Sequence, residues 1–214
     1  MKRLNELGAR KFVVSDVGPL GCIPYVRALE FMPAGECSAS ANRVTEGYNK
    51  KLKRMVERMN QETGPESKFV YTNTYDIVME IIQNYRQYGT LSLLFSCKMQ
   101  CFRVQISELE TVHLLLLLNI QRIACGKQDL GSLTPPGFDN ALEPCCGGSF
   151  PPFLCIGIAN SSSSLCSDRS KYVFWDAFHP TEAANLIVAG KLLDGDAAAA
   201  SPINVRELFQ YEHK

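Results

Sequence analysis

What these 214 residues lack narrows the possibilities before any motif does. There is no charge surplus, because 22 Lys and Arg stand against 22 Asp and Glu mixed along the chain. Nothing in that balance provides an electrostatic footprint for nucleic acid or an anionic membrane. No apolar stretch approaches the roughly twenty residues of a membrane span, and the leucine run Leu114 to Leu118 is far too short. No Cys-x-x-Cys pair founds a zinc module, since Cys97 and Cys101 are spaced wrongly and have no matching second half. Gly-x-Ser-x-Gly, the signature of a serine on a strand-to-helix turn, does not occur either. The start, Met1 to Gly8, carries charge and has no apolar core of signal-peptide length before Arg10-Lys11.

What is present suits one main globular domain, with 46% hydrophobic and 21% charged residues. Nine cysteines are many for a reducing compartment and, without metal spacing, suit disulfides. Cysteine usage therefore implies an oxidising compartment, while the N-terminus as written carries no address for one. A missing N-terminal portion would reconcile the two.

Along the chain, Lys11 to Ser15 is a β-branched run that predicts a buried strand, ended by the turn formers Asp16 to Gly21. Ser15 at that end invites comparison with a nucleophile, but Pro19 leaves no helix immediately after it. Cys22 and Cys37 flank a loop that a bridge could close, the alternative being two buried thiols. From Ala41 to Glu62, Val44, Tyr48, Leu52, Met55, Val56 and Met59 recur at helical spacing and predict an amphipathic helix over a sheet, stopped by Gly64-Pro65. Lys68 to Thr72 predicts a second strand and Asp76 to Tyr85 a second helix. This alternation is that of a parallel α/β sheet, where catalytic groups gather outside the carboxyl ends of the strands. Cys145, Cys146, Cys155 and Cys166 fall in a Gly-, Pro- and Ser-rich loop suited to one or two disulfides. Lys171 to Trp175 reads as extended, Thr181 to Leu193 as a helix, Ala197 to Ala200 as a linker and Pro202 to Val205 as a short tail.

The stretch Trp175-Asp176-Ala177-Phe178-His179-Pro180 carries the chemistry. A hydrolase needs a His that accepts the nucleophile's proton and a carboxylate that holds the other ring nitrogen. On a tight turn, Asp176 and His179 can point the same way. Pro180 suits the first turn of the following helix and would place His179 at its mouth. An Asp three residues before a His also occurs in ordinary surface turns, and both readings stay open on these residues alone.

Several stretches together resemble the plant-type GDSL esterase/lipase family, part of the SGNH hydrolases. They are Leu7 to Val14, Gly18-Pro19-Leu20-Gly21-Cys22-Ile23-Pro24, Lys68-Phe69-Val70-Tyr71, Cys145-Cys146-Gly147 and Tyr172 to Asn185. The resemblance covers residues 7–89 and 138–208 and implies the C-terminal half of a three-layer, flavodoxin-like parallel α/β sheet. It implies a serine esterase without cofactor or metal, with Asp176 as triad acid and His179 as base, acting on a small acyl-ester or lipid substrate. It also implies secretion. In the family, the Gly-Asp-Ser nucleophile block and the Gly and Asn oxyanion blocks precede the strand that here begins at Lys11. The nucleophile and oxyanion hole are therefore expected to lie outside this chain, Ser15 belongs to a later strand, and the chain alone is expected to be inactive. A catalytically dead fragment or binding remnant, with uncovered apolar edges and poor solubility, is the alternative.

The family pattern also runs almost directly from a Tyr-Gly like Tyr88-Gly89 to a segment like Phe138-Asp139-Asn140. Residues 90–137 are thus expected to be a foreign insertion, such as translated retained intron, with His113 incidental and residues 209–214 a tail. Removing the insertion leaves six cysteines, enough for three bridges. Sequencing of the transcript is expected to find a message that joins Gly89 to Phe138; abundant message retaining the insertion would remove the intron reading.

Overall fold

The computed structural model describes residues 1–88, 137–147, 155 and 165–212. After a short helix α1 (Lys2–Glu6), the β-branched and aromatic runs form strands β1 (Lys11–Ser15) and β2 (Lys68–Thr72). They pair in parallel, from Lys11 opposite Lys68 to Ser15 opposite Thr72. Parallel neighbours need a crossover, and it contains α2 (Pro24–Leu29) and the long α3 (Ala39–Glu62). The predicted α/β class with a parallel sheet is therefore the observed one.

α3 covers one face of this sheet, where Phe12, Phe69 and Tyr71 meet Val56 and Met59. The rings of Phe12 and Phe69 stack with centroids 4.3 Å apart. A larger core lies between α4 (Thr74–Gln83), the parallel pair β3 (Asn140–Pro144) and β4 (Tyr172–Phe174), and α5 (Glu182–Asp194). Ile77, Ile81, Leu142, Val173, Phe174 and Ile187 fill it. Among the described residues, no helix is long and apolar enough to cross a membrane.

The amphipathic reading of α3 identified the helix and half of its stripe, since Leu52, Val56 and Met59 pack on the sheet. Val44, Tyr48 and Met55 are exposed, and the buried positions are Asn42, Thr45, Asn49, Val56 and Met59. The cause is the loop after β1, whose peptide groups need partners once they are buried. The N–H of Gly21 donates to Asn42 Oδ1 at 2.8 Å, and Asn49 both accepts from Val17 N–H at 3.0 Å and donates to Val17 O at 2.7 Å. Farther along, Asn60 treats the peptide of Phe69 in the same two-sided way, at 2.9 and 2.7 Å. Gly21 is required here, because a Cβ would stand 2.1 Å from the carbonyl oxygen of Ser38.

Other expectations shift. β1 is not buried on both faces, since Val13 is 50% exposed. α4 begins at Thr74, two residues earlier than predicted, because the Asn73 side chain caps it by accepting from Asp76 N–H. The predicted linker and tail hold real elements. Ala200 and Ser201 form β5, antiparallel to β2, and Val205–Gln210 is a helix, α6, closed by a capping box between Asn204 and Glu207. Both are too short to show a period, and α6 runs across the boundary expected at residue 208. β3, with Ala, Glu and Pro in five residues, carries no strand pattern of its own.

The cysteines pair as Cys22–Cys37, Cys145–Cys166 and Cys146–Cys155. These are the six expected to form three bridges. Apart from Gly137, the expected insertion lies outside the described residues.

Asn49→Ala should cost about 1 kcal/mol, because it removes both partners of the half-buried Val17 peptide group. Val44→Ser, on the exposed stripe, should stay within about 0.5 kcal/mol. Urea melts of the two variants check the assignment of the stripe.

Candidate active site

The carboxyl end of β4 runs into Trp175, and the chain then makes a loop that returns beside the strand. Trp175 N–H donates to His179 O at 2.8 Å and Thr181 N–H to Val173 O at 2.8 Å, so Pro180 stands opposite Phe174 at a position that calls for no N–H. Cys145 and Cys146 hold the outgoing arm, their N–H groups donating to Phe174 O at 3.0 Å and Trp175 O at 2.7 Å. Both cysteines are themselves tied by disulfides.

Thr181 holds the returning arm. It is buried, its hydroxyl donates to Tyr172 O at 2.7 Å, and the same oxygen accepts from Ala184 N–H at 3.2 Å as the N-cap of α5. This corrects the placement of Pro180 in the helix. A hydroxyl that satisfies an N-terminal N–H is the better start, so α5 opens at Glu182 and His179 lies ahead of it.

Within the loop, Asp176 folds back on the chain that follows it. Its Oδ1 accepts from Phe178 N–H at 2.9 Å and His179 N–H at 2.7 Å. The ring Nδ1 of His179 lies 2.9 Å from both carboxylate oxygens. With the Nδ1 proton directed at Asp176, Nε2 is left as the proton acceptor. The Asp176 side chain is 17% exposed and that of His179 72%. Burial pushes the Asp176 carboxyl up, but the Phe178 N–H, the His179 ring, the His179 N–H and the imidazolium charge together outweigh it and hold the group below its ordinary value. The pair can thus orient a general base and stabilise it once charged.

The structure brings Asp176 and His179 together and leaves Ser15 elsewhere. Ser15 ends β1, where its hydroxyl is 2.8 Å from Thr74 Oγ1 and donates to Asp16 O at 3.3 Å. Two features escaped the sequence reading. Asp16, taken as a turn former, is a buried carboxylate that accepts from Thr74 N–H at 2.7 Å, Tyr75 N–H at 3.1 Å and Tyr71 OH at 2.8 Å. Burial raises its carboxyl despite those bonds, and burial with the bond to Asp16 pushes the Tyr71 hydroxyl far up. Asp16 joins the start of α4 to the ends of β1 and β2. The second is Tyr25, whose N–H donates to Ala177 O at 3.0 Å and whose ring lies 4.8 Å from that of Phe178. No residue pattern links positions so far apart in sequence. Among the described residues, no three His, Cys, Asp or Glu side chains converge as metal ligands.

Residues 1–192 match the family model described as GDSL-like Lipase/Acylhydrolase. The chain is 43% identical over 213 residues to GDSL esterase/lipase At5g41890 of Arabidopsis thaliana, a match covering 97% of this chain and 45% of that protein. It is 40% identical over 208 residues to GDSL esterase/lipase At4g16230 and 35% over 210 residues to GDSL esterase/lipase At2g23540, both of Arabidopsis thaliana. Those matches cover 97% of this chain and 43% and 41% of the two relatives. The chain thus spans less than half the length of each of these three.

Because the folded state holds the Asp176 carboxyl below its unfolded value, the stability it contributes is present above that value and is lost as pH falls through the folded one. Asp176→Asn is expected to melt below the parent at about pH 7, with the gap closing towards about pH 3. Paired thermal melts across that range check it, and a constant gap would contradict the assignment.

Proposed function

Since the chain belongs to the GDSL-like lipase/acylhydrolase family, we propose that Asp176 and His179 are the acid and base of a serine ester hydrolase acting on acyl esters. The observation that carries this reading is the 2.9 Å approach of His179 Nδ1 to both oxygens of Asp176, on an exposed loop at the carboxyl end of a parallel strand.

In this mechanism, Nε2 of His179 takes the proton of a serine hydroxyl as its oxygen attacks the ester carbonyl. The Asp176 carboxylate stabilises the imidazolium, which then gives that proton to the departing alcohol. Water repeats the cycle on the acyl-enzyme and releases the acid. The substrate is a small acyl ester or a lipid, as expected for the family. The three disulfides favour an oxidising, extracellular setting. Residues 1–89 and 138–208 form the hydrolase part in this reading, and 90–137 is an insertion.

No Gly-Asp-Ser string occurs in the 214 residues, and in this reading the nucleophile and oxyanion donors are not among them. On its own the chain is accordingly proposed to be inactive. The same observation favours a second reading, a catalytically dead fragment kept for binding.

A fusion separates the two. Joining to this chain the part of the 43%-identical relative that lies outside the match should restore hydrolysis of p-nitrophenyl butyrate, and His179→Ala in the fusion should remove roughly 10⁴-fold or more of the rate. A fusion that is folded and inert favours the dead fragment, and turnover indifferent to His179→Ala overturns the role given to the dyad.

A further inference from the structure

Asp176 fixes one nitrogen of the His179 ring. That bond restrains one edge of the ring, whose side chain is 72% exposed. A general base has to be held to within a fraction of an ångström of its productive position. A second constraint comes from the neighbouring aromatic rings. The Phe178 ring meets the imidazole edge-on, with centroids 6.2 Å apart and planes at 70°, and it also lies 4.8 Å from the ring of Tyr25. Tyr25 also grips the backbone between acid and base, because its N–H donates to the carbonyl of buried Ala177. As the second residue of α2, it has an N–H that the helix itself leaves unused.

The base from which Tyr25 reaches is firm. Pro24 and Cys22 are fully buried, and Cys22 packs in the main core and is bridged to Cys37. Gly21 O accepts from Ser38 N–H at 2.8 Å, which ties the bridge to the start of α3. Arg27, buried on α2, donates to Glu36 O at 2.6 Å, Pro33 O at 3.0 Å and Leu142 O at 3.2 Å. Leu142 belongs to β3, which pairs with β4, the strand that carries the His179 loop. The disulfide-closed segment and the loop therefore share one frame.

We propose that Tyr25 is a positioning residue for His179, holding Ala177 and Phe178 and through them the imidazole, in addition to the hold that Asp176 has on Nδ1. The proposal rests on the reading of Asp176 and His179 as acid and base. It makes the segment from Cys22 to Cys37 part of the catalytic apparatus while touching neither the substrate nor the reacting atoms.

The test is NMR on the chain as it stands, which needs no turnover. The readouts are the order parameter of the His179 ring and the titration of the Asp176 carboxyl. Tyr25→Phe should match the parent in both. Tyr25→Ala keeps the backbone N–H and removes the ring, so the His179 order parameter should fall by roughly a third or more with little change at Asp176. Tyr25→Pro also removes the N–H. The Phe178 and His179 bonds to Asp176 should then loosen and the carboxyl should titrate nearer its ordinary value. His179 motion in Tyr25→Ala equal to that in Tyr25→Phe overturns the proposal, and this comparison stands alone if Tyr25→Pro does not fold. The premise has its own mark. A parent that shows no hydrogen-bonded Nδ1 proton sensitive to Asp176→Asn loses the dyad, and the proposal with it.

Discussion

The Asp176 carboxylate is the group on which the outer end of β4 depends. One of its oxygens accepts two successive backbone N–H groups, and both face the ring nitrogen of His179. The turn that brings Asp176 and His179 together is therefore made by Asp176 itself. The hydrogen bonds that set its shape are also those that hold the carboxyl ionised against burial. Around it, the fold supplies restraint on the arms of the loop, with Thr181 on one and the Cys145-Cys146 pair on the other.

Much of this was legible in the sequence, and the parts that were not share a cause. β1, β2, α3 and α5 are long or strongly patterned, and β2 falls on the residues predicted for it. The approach of Asp176 and His179 was legible because the two stand three residues apart on one turn. What escaped is what depends on partners remote in sequence. Asn42 and Asn49 looked like the polar face of α3 because nothing local says that the peptides of Gly21 and Val17 will need them. Asp16 looked like a turn former because the N-terminus it caps lies 58 positions away, at Thr74. β5 has two residues, and no pattern can be read from two.

Asp16 and Asp176 make an instructive pair. Each ends a strand and each gathers backbone N–H groups, yet burial prevails at one and hydrogen bonding with an imidazole at the other, so their carboxyls move in opposite directions. The first serves as a joint between α4 and the sheet. The second keeps a negative charge beside the His179 ring, which is what the proposed role of the pair calls for.

The asparagines of α3 have a consequence for how that helix can change. A helix seated by apolar contacts alone can roll or slide by part of a turn and find nearly equivalent packing. α3 cannot, because Asn42, Asn49 and Asn60 are keyed to the peptide groups of Gly21, Val17 and Phe69 along its length. Any slip would empty those amide sockets. The helix thus serves as a ruler laid across one loop and a strand, and its divisions are marked by polar residues while its methionines and valines can be exchanged for neighbours of similar bulk.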